Sequence, residues 1–186
     1  MKRKTTHARK SAGSEPIQFQ VEAATEGDWP FIVEGQAAIA WARLGPKRRR
    51  EVDRQALERH VAQHVAELRR EEGFPTQAFV AKTDKGKPAG FVWMAKTHND
   101  FTGQVEASLL NQYVAEPYRG RGLGRRLIQT AEQWARRQGL PRICLSVGAN
   151  NALSQGLYKT MGYHVDTLRM SKALAATEPE VILSDY

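Results

Sequence analysis

A glycine-rich loop between a strand-like run and an amphipathic helix is the feature that most constrains this sequence. Residues 105–115 predict a long strand, and the loop 118–124 follows it directly. Apolar residues then recur at helical spacing over 123–135, and the apolar run 143–147 predicts a short buried strand. Since a strand–helix–strand step of this length forms a right-handed parallel crossover, the chain must contain a mixed α/β sheet.

The rest of the chain supplies the other elements of a single domain. Alternating apolar and polar residues predict strands, and apolar residues at helical spacing predict helices. Turn residues at 84–88 are typical of a hairpin. The additional strands are expected at 17–21, 78–81, 90–95 and 163–172. The additional helices are expected from a cap at Thr25 or Asp28 to about 45, over 52–71 and over 151–161.

The net charge of +8 is unevenly placed along the chain. Residues 1–15 carry five basic residues and one acidic residue, which gives them a net charge of +4. A segment with so few large apolar side chains cannot offset the entropy lost on ordering. We therefore expect a disordered basic tail at 1–16, an α/β domain at 17–175 and a C-terminal extension at 176–186.

Cysteine content and hydropathy exclude several classes of protein. One cysteine, Cys144, cannot build a disulfide framework or a cysteine-cluster metal site. The pair His60 and His64 shares a helix face, but no third ligand accompanies it, so no metal is expected. No run approaches the roughly 18 apolar residues of a membrane helix. We expect a cytoplasmic protein with no membrane partner.

The loop has the composition of a site for a diphosphate. Glycines let the backbone approach a ligand closely, and the first amides of the following helix point outward without helical acceptors. Arginines add positive potential there. A Walker loop would end in Gly-Lys-Ser/Thr, which is absent here. A dinucleotide-binding fingerprint would need a glycine three residues after Gly122, where this sequence has Arg125. The loop alone leaves two interpretations open: a pyrophosphate cradle or a solvated Arg/Gly-rich loop.

A second motif decides between these interpretations. Residues 151–158 read Asn-Ala-Leu-Ser-Gln-Gly-Leu-Tyr, and a Gly-Tyr pair follows at 162–163. Together with Arg-x-x-Gly-x-Gly at 119–124, this order resembles the GNAT superfamily of acyl-CoA-dependent N-acetyltransferases. Val114 also matches that family's usual valine at the strand end. The resemblance covers 105–172 closely and the earlier part of the chain more loosely.

This resemblance implies a GNAT-like mixed, splayed β-sheet flanked by helices, with acetyl-CoA as the co-substrate. The strands at 105–115 and 143–147 would part to admit the pantetheine arm. The expected cofactor-binding residues are Val114, Arg119, Gly120, Arg121, Gly122, Leu123, Gly124, Arg125, Asn151 and Ser154.

Two catalytic roles follow from the chemistry of acetyl transfer. The departing thiolate needs a proton, and the resemblance implies that Tyr158 donates it; the alternative is a core tyrosine. An alkylamine of pKa about 10.4 is mostly protonated at neutral pH, so its proton must be removed. The resemblance implies Glu106 as the base, since some members of that family keep a catalytic glutamate in this region; Asp100 and Glu116 are lesser candidates. A chain of water molecules is the alternative to a carboxylate.

The expected function is therefore N-acetyl transfer from acetyl-CoA to a primary amine of a small molecule or protein, by direct attack on the thioester. The alternative is a non-catalytic nucleic-acid or anion-binding protein on the same scaffold, driven by the basic runs 2–10 and 47–50. Neither run contains interleaved aromatic residues, which argues against base stacking. A monomer and a homodimer both remain open.

Overall fold

A computed structural model describes residues 17–71 and 75–172. The tail expected at 1–16 and the extension expected at 176–186 lie outside these residues. The chain divides into two compact units, one ending at Asn150 and the other beginning at Asn151, and each is described by itself.

The first unit is built on a five-stranded sheet in the order β1-β2-β3-β4-β5. Neighbouring strands are antiparallel from β1 to β4, whereas β5 runs parallel to β4. This confirms the mixed α/β sheet and the parallel step predicted from the glycine-loop segment. The strands are β1 (Phe19–Ala23), β2 (Thr76–Thr83), β3 (Pro88–His98), β4 (Val105–Val114) and β5 (Ile143–Leu145).

Helices cover both faces of this sheet. On one face, the apolar stripe of α4 packs against residues of β2, β3 and β4. On the other face, α1 and α3 enclose a second core cluster that includes Ile32, Val65, Phe91 and Trp93. The central strand β3 is therefore buried along most of its length. The helices of this unit are α1 (Trp29–Arg43), α2 (Pro46–Glu51), α3 (Arg54–Arg70) and α4 (Leu123–Arg137).

The helix predicted over 52–71 is wrong at its start. Val52 is extended, and Asp53 caps α3 by accepting hydrogen bonds from the amides of Gln55 and Ala56 at 3.2 and 3.1 Å. An aspartate side chain satisfies the amides that a helix start leaves open, so the chain begins a new helix here. The preceding basic run forms the separate short helix α2.

A polar cluster joins the turn before α1 to the sheet. The buried Asp28 carboxylate accepts hydrogen bonds from the Thr25 amide and hydroxyl, at 2.8 and 2.7 Å, and lies 3.0 Å from Lys82 Nζ. Burial acts to raise the pKa of Asp28, but these hydrogen bonds outweigh it and lower that pKa below its usual value. These contacts hold the turn that precedes α1 against strand β2.

Strands β4 and β5 pair over a short stretch only. Residues 107–109 of β4 face 143–145 of β5, and β4 then continues to Val114. A bulge in β4 at Leu110 follows the end of this pairing, since Trp93 faces Asn111 while Met94 faces Leu109. The predicted splay is thus present as an incomplete pairing: β5 ends at Leu145, opposite Leu109, and β4 continues without it.

The second unit contains α5 (Ala152–Thr160), close to the predicted helix over 151–161. Gly162 has φ of +90° just after it, as the C-cap prediction requires. The strand predicted over 163–172 is wrong, because these residues form no strand in the described structure. Their apolar residues break the period of two between Val165 and Leu168, so no continuous apolar face is available for a sheet.

No helix within 17–71 and 75–172 is long and apolar enough to cross a membrane.

Candidate active site

The backbone of the glycine loop turns through the left-handed region twice. Gly120 and Gly122 have φ of +72° and +77°, and the space where a Cβ would stand is open at both. Gly122 is the N-cap of α4, and it has no side chain to accept from the first amides of that helix. The first helical bond runs from the Arg126 amide to the Gly122 carbonyl at 3.2 Å, and the amides of Leu123 and Gly124 lie before it, where a helix start offers no helical acceptor.

Two side chains fix this loop to β4. Arg119 Nε donates to the Val114 carbonyl oxygen at 3.0 Å, and Gln112 Nε2 donates to the Gly124 carbonyl oxygen at 2.6 Å. The structure therefore joins Val114 to Arg119 directly, and part of the Arg119 guanidinium is used to hold the loop. This role of Gln112 could not be predicted from the sequence, because it depends on the packing of α4 on β4.

The surface beside the loop is basic and concave. A groove of about 540 Å³ lies between the loop and β1, and Arg126 Nη1 donates to the Phe19 carbonyl oxygen across it at 2.6 Å. The predicted residues Arg121, Gly122 and Leu123 line this groove. Arg121 and Arg125 are exposed. Outward amides and guanidinium groups at one helix start make a site for an anion.

Glu106 lies at the opposite end of β4 from this loop. Its carboxylate, 12% exposed, is 3.4 Å from Asn99 Nδ2 and 4.0 Å from Arg142 Nε. Burial, followed by a hydrogen bond to Glu106, raises the pKa of the Cys144 thiol. The structure thus places Glu106 in a polar cluster at the start of β4 and β5 and does not bring it to the loop.

The remaining predicted residues belong to the second unit. Asn151 Oδ1 accepts from the Ser154 amide at 3.1 Å, so Asn151 is the N-cap of α5. Tyr158 is buried, and its ring centroid lies 5.7 Å from that of Tyr163. The structure therefore brings Asn151 and Ser154 together and places Tyr158 on the following turns of the same helix.

A second cavity, of about 390 Å³, lies between α1, α3, β3 and β4. Two of its lining side chains, Gln36 and Trp93, are 7% and 1% exposed. In the described part of the chain, neither Gln36 Nε2 nor Trp93 Nε1 has a hydrogen-bond partner. The other polar lining residues are Arg43, His60, His64 and Asn111. The apolar lining residues are Ile39, Ala40, Val61, Val65, Leu68 and Leu110.

This cavity was not predicted from the sequence. The periodicity of α1 and α3 marks their buried faces but does not show where the packing leaves space. The rings of His60 and His64 stack 6.3 Å apart on its wall. Among the described residues no group of three or more potential ligands could hold a metal ion.

A mixed sheet in which β4 extends beyond β5, next to a helix start with the geometry to bind an anion, defines an α/β protein suited to a phosphorylated ligand. The chain matches the model of the Acetyltransferase (GNAT) family over residues 41–163 and belongs to this family.

Relatives and solved structures agree with this assignment. An uncharacterized N-acetyltransferase of Bacillus subtilis, YdgE, is 34% identical over 91 residues, which are 49% of this chain and 57% of the relative. The L-methionine sulfoximine/L-methionine sulfone acetyltransferase of Pseudomonas aeruginosa is 32% identical over 103 residues, 53% of this chain and 56% of the relative. The chain thus spans little more than half the length of these curated relatives.

Two solved structures show the same fold. A putative acetyl transferase from Pyrococcus furiosus has a TM-score of 0.73 at 22% identity, with 84% of this chain and 100% of that chain covered. An aminoglycoside N-acetyltransferase in complex with CoA has a TM-score of 0.62 at 15% identity, with 87% of this chain and 97% of that chain covered.

Proposed function

We propose that this protein transfers an acetyl group from acetyl-CoA to a primary amine of a small molecule or protein. The observation that carries the proposal is the loop at the start of α4, where Gly120 and Gly122 hold left-handed backbone under exposed arginines. Family membership and the names of the two curated relatives support acetyl transfer. One of those relatives is named for acetylating amino-acid derivatives.

The loop residues would bind the pyrophosphate of acetyl-CoA. The amides of Leu123 and Gly124 provide hydrogen bonds and the dipole of α4 adds partial positive charge, while Arg121 and Arg125 neutralise the phosphates. Beyond Leu109, where β5 no longer pairs, β4 offers the sheet edge along which a pantetheine arm could lie. Arg119 acts mainly by holding the loop to Val114.

The reaction makes specific demands on the acceptor amine. An alkylamine of pKa about 10.4 must lose a proton before it attacks, which costs about 4.6 kcal/mol at pH 7. The amine nitrogen then bonds to the thioester carbon, the carbon–sulfur bond breaks, the nitrogen gives up a second proton, and the CoA thiolate takes up one proton, so that one proton in total is released to water. We propose Tyr158 as the donor to the thiolate and Glu106 as the base that receives the amine proton, directly or through water.

The basic run at 47–50 gives little support to the alternative of a non-catalytic nucleic-acid or anion-binding protein. Arg49 Nε donates to the Trp41 carbonyl oxygen at 3.1 Å, and Arg49 Nη2 donates to the Ala42 carbonyl oxygen at 3.3 Å. This guanidinium therefore satisfies the C-terminal end of α1, where cations stabilise a helix. Its structural role accounts for part of the run without a nucleic-acid partner.

A thiol-release assay with acetyl-CoA and a panel of amines tests the proposal. We expect amine-dependent release of CoA, and calorimetry should detect acetyl-CoA binding to the full chain. Absence of both would contradict acetyl transfer. Tight binding of duplex DNA with a steep dependence on salt, in the absence of turnover, would favour the alternative.

A further inference from the structure

We propose that the 390 Å³ cavity between α1, α3, β3 and β4 binds the carboxylate of a small amino-acid-like acceptor, with its alkyl chain against the aliphatic wall. This inference rests on the proposed acetyl transfer and specifies its acceptor.

The unpartnered donors of the cavity are the first argument. Gln36 Nε2 and Trp93 Nε1 have no hydrogen-bond partner in the described structure, although both side chains are more than nine-tenths buried. A buried N–H group without an acceptor is unfavourable, so these two groups require an acceptor that the described side chains and backbone do not supply. Both side chains line the same cavity, so a ligand that supplies oxygen acceptors there would satisfy them.

The charge of the lining is the second argument. Arg43 brings a guanidinium to the cavity, and no Asp or Glu belongs to its described lining. One Arg43 nitrogen lies 3.4 Å from the Ser146 carbonyl oxygen, a long contact that leaves the planar group available for a carboxylate. The amides of Gln36 and Asn111 can donate or accept, so the Arg43 guanidinium and the unpartnered N–H groups of Gln36 and Trp93 set the preference of this cavity for a carboxylate over an ammonium ion.

The position and size of the cavity fit an acceptor site. Leu110 and Asn111 of the β4 bulge line it, and the pairing of β4 with β5 ends just before this bulge. A carboxylate held by α1 and β3 would thus leave an amine near the stretch of β4 that β5 does not cover. A volume of about 390 Å³ lies within the range typical of small-molecule pockets, about 300–1,000 Å³.

Binding of three matched probes to the full chain, without acetyl-CoA, tests the inference. Norleucine has an amine, a carboxylate and a butyl side chain; hexanoate lacks the amine, and pentylamine lacks the carboxylate. We expect norleucine and hexanoate to bind at least about tenfold more tightly than pentylamine, since a carboxylate forms charge-assisted hydrogen bonds. Equal binding of norleucine and pentylamine would overturn the proposal.

Variants connect this preference to the named donors. Gln36→Leu and Arg43→Met should each raise the dissociation constants for norleucine and hexanoate by about tenfold. This change is the equivalent of one lost hydrogen bond to a charged group. Gln63→Leu on α3 and Arg50→Met on α2 are the matched controls outside the lining, and their affinities should stay within about twofold of wild type.

The melting temperature of Gln36→Leu shows whether Gln36 serves as a ligand donor or as a structural core group. Removal of an unsatisfied buried amide should leave the melting temperature of Gln36→Leu unchanged or higher. A variant that melts markedly earlier or does not fold would show that the amide is a structural core group, which overturns its assignment as a ligand donor. Because Arg43 is exposed, Arg43→Met should fold normally, and its affinity for norleucine and hexanoate can be measured even if Gln36→Leu does not fold.

Turnover distinguishes failure of this inference from failure of the proposed function. If pentylamine is acetylated as efficiently as norleucine, acetyl transfer stands and the carboxylate site is overturned. If acetyl-CoA is neither bound nor cleaved while norleucine and hexanoate still bind through Gln36 and Arg43, the carboxylate site stands and the proposed function fails.

Discussion

Substitution of Gly122 by alanine should separate ligand binding from backbone strain. A left-handed φ costs a non-glycine residue roughly 1–2 kcal/mol, and Gly122 has φ of +77°. The new methyl group would also stand at the surface from which the α4 amides face a ligand. If it displaces one phosphate oxygen, the lost charge-assisted hydrogen bond is worth about 1.5–3 kcal/mol. Acetyl-CoA affinity should then fall about tenfold to hundredfold.

Gly139→Ala provides the matched control for this experiment. Gly139 follows the other end of α4 with φ of +67°, and the space around it is also open. Urea unfolding should show similar losses of stability for both variants, while calorimetry should show weakened acetyl-CoA binding for Gly122→Ala alone. Unchanged affinity in Gly122→Ala, or equal loss in both variants, would refute the assignment of the loop as a pyrophosphate cradle.

Four further substitutions test separate features of the site and the fold. Tyr158→Phe should lower single-turnover rates by about 100- to 10,000-fold with little change in the Michaelis constant, and a wild-type rate would remove Tyr158 from the mechanism. Gly90→Ala should destabilise the fold by about 1–3 kcal/mol in urea unfolding. The reason is that its Cβ would stand 2.6 Å from the Tyr113 carbonyl oxygen. Gly156→Ala should instead leave stability unchanged or raise it, because Gly156 lies in the middle of α5 and no atom stands close to the new Cβ. Because the pKa of Asp28 is lowered in the fold, its ionised form stabilises the protein above about pH 4, and this contribution is lost as the pH falls through the folded pKa. Asp28→Asn should therefore lower the melting temperature at pH 7, and a difference that persists undiminished well below pH 4 would contradict this account.

The elements with strong local signals could be predicted from the sequence. The apolar stripe of α4 has a clear helical period, and glycine at 120 and 122 marks backbone that other residues rarely adopt. The hairpin between β2 and β3 and the parallel step to β5 follow from similarly local patterns. These elements, the hairpin and the parallel step could therefore be placed along the chain before the structure.

The features that were missed depend on contacts between distant residues. Gln112 could be assigned to the loop only once α4 was packed on β4. The cavity beside Gln36 and Trp93 exists because α1 and α3 do not fill the space over β3 and β4, and no period in the sequence records such a gap. Conversely, the segment 163–172 has the β-branched and apolar residues of a strand but no ladder partner in the described structure.

The brief pairing of β4 with β5 has a consequence for the motions of the sheet. Backbone amides exchange with solvent deuterium through local openings, whose free energies vary widely within one fold. A three-residue parallel ladder gives β5 few interstrand bonds, whereas β3 has antiparallel neighbours on both sides. The amides of 143–145 should exchange much earlier than those of β3. The pairing of β4 with β5 should therefore open more often than the pairing of β3 with its neighbours. A ligand that binds beside the end of this pairing, and only to the closed state, would make these openings rarer by mass action.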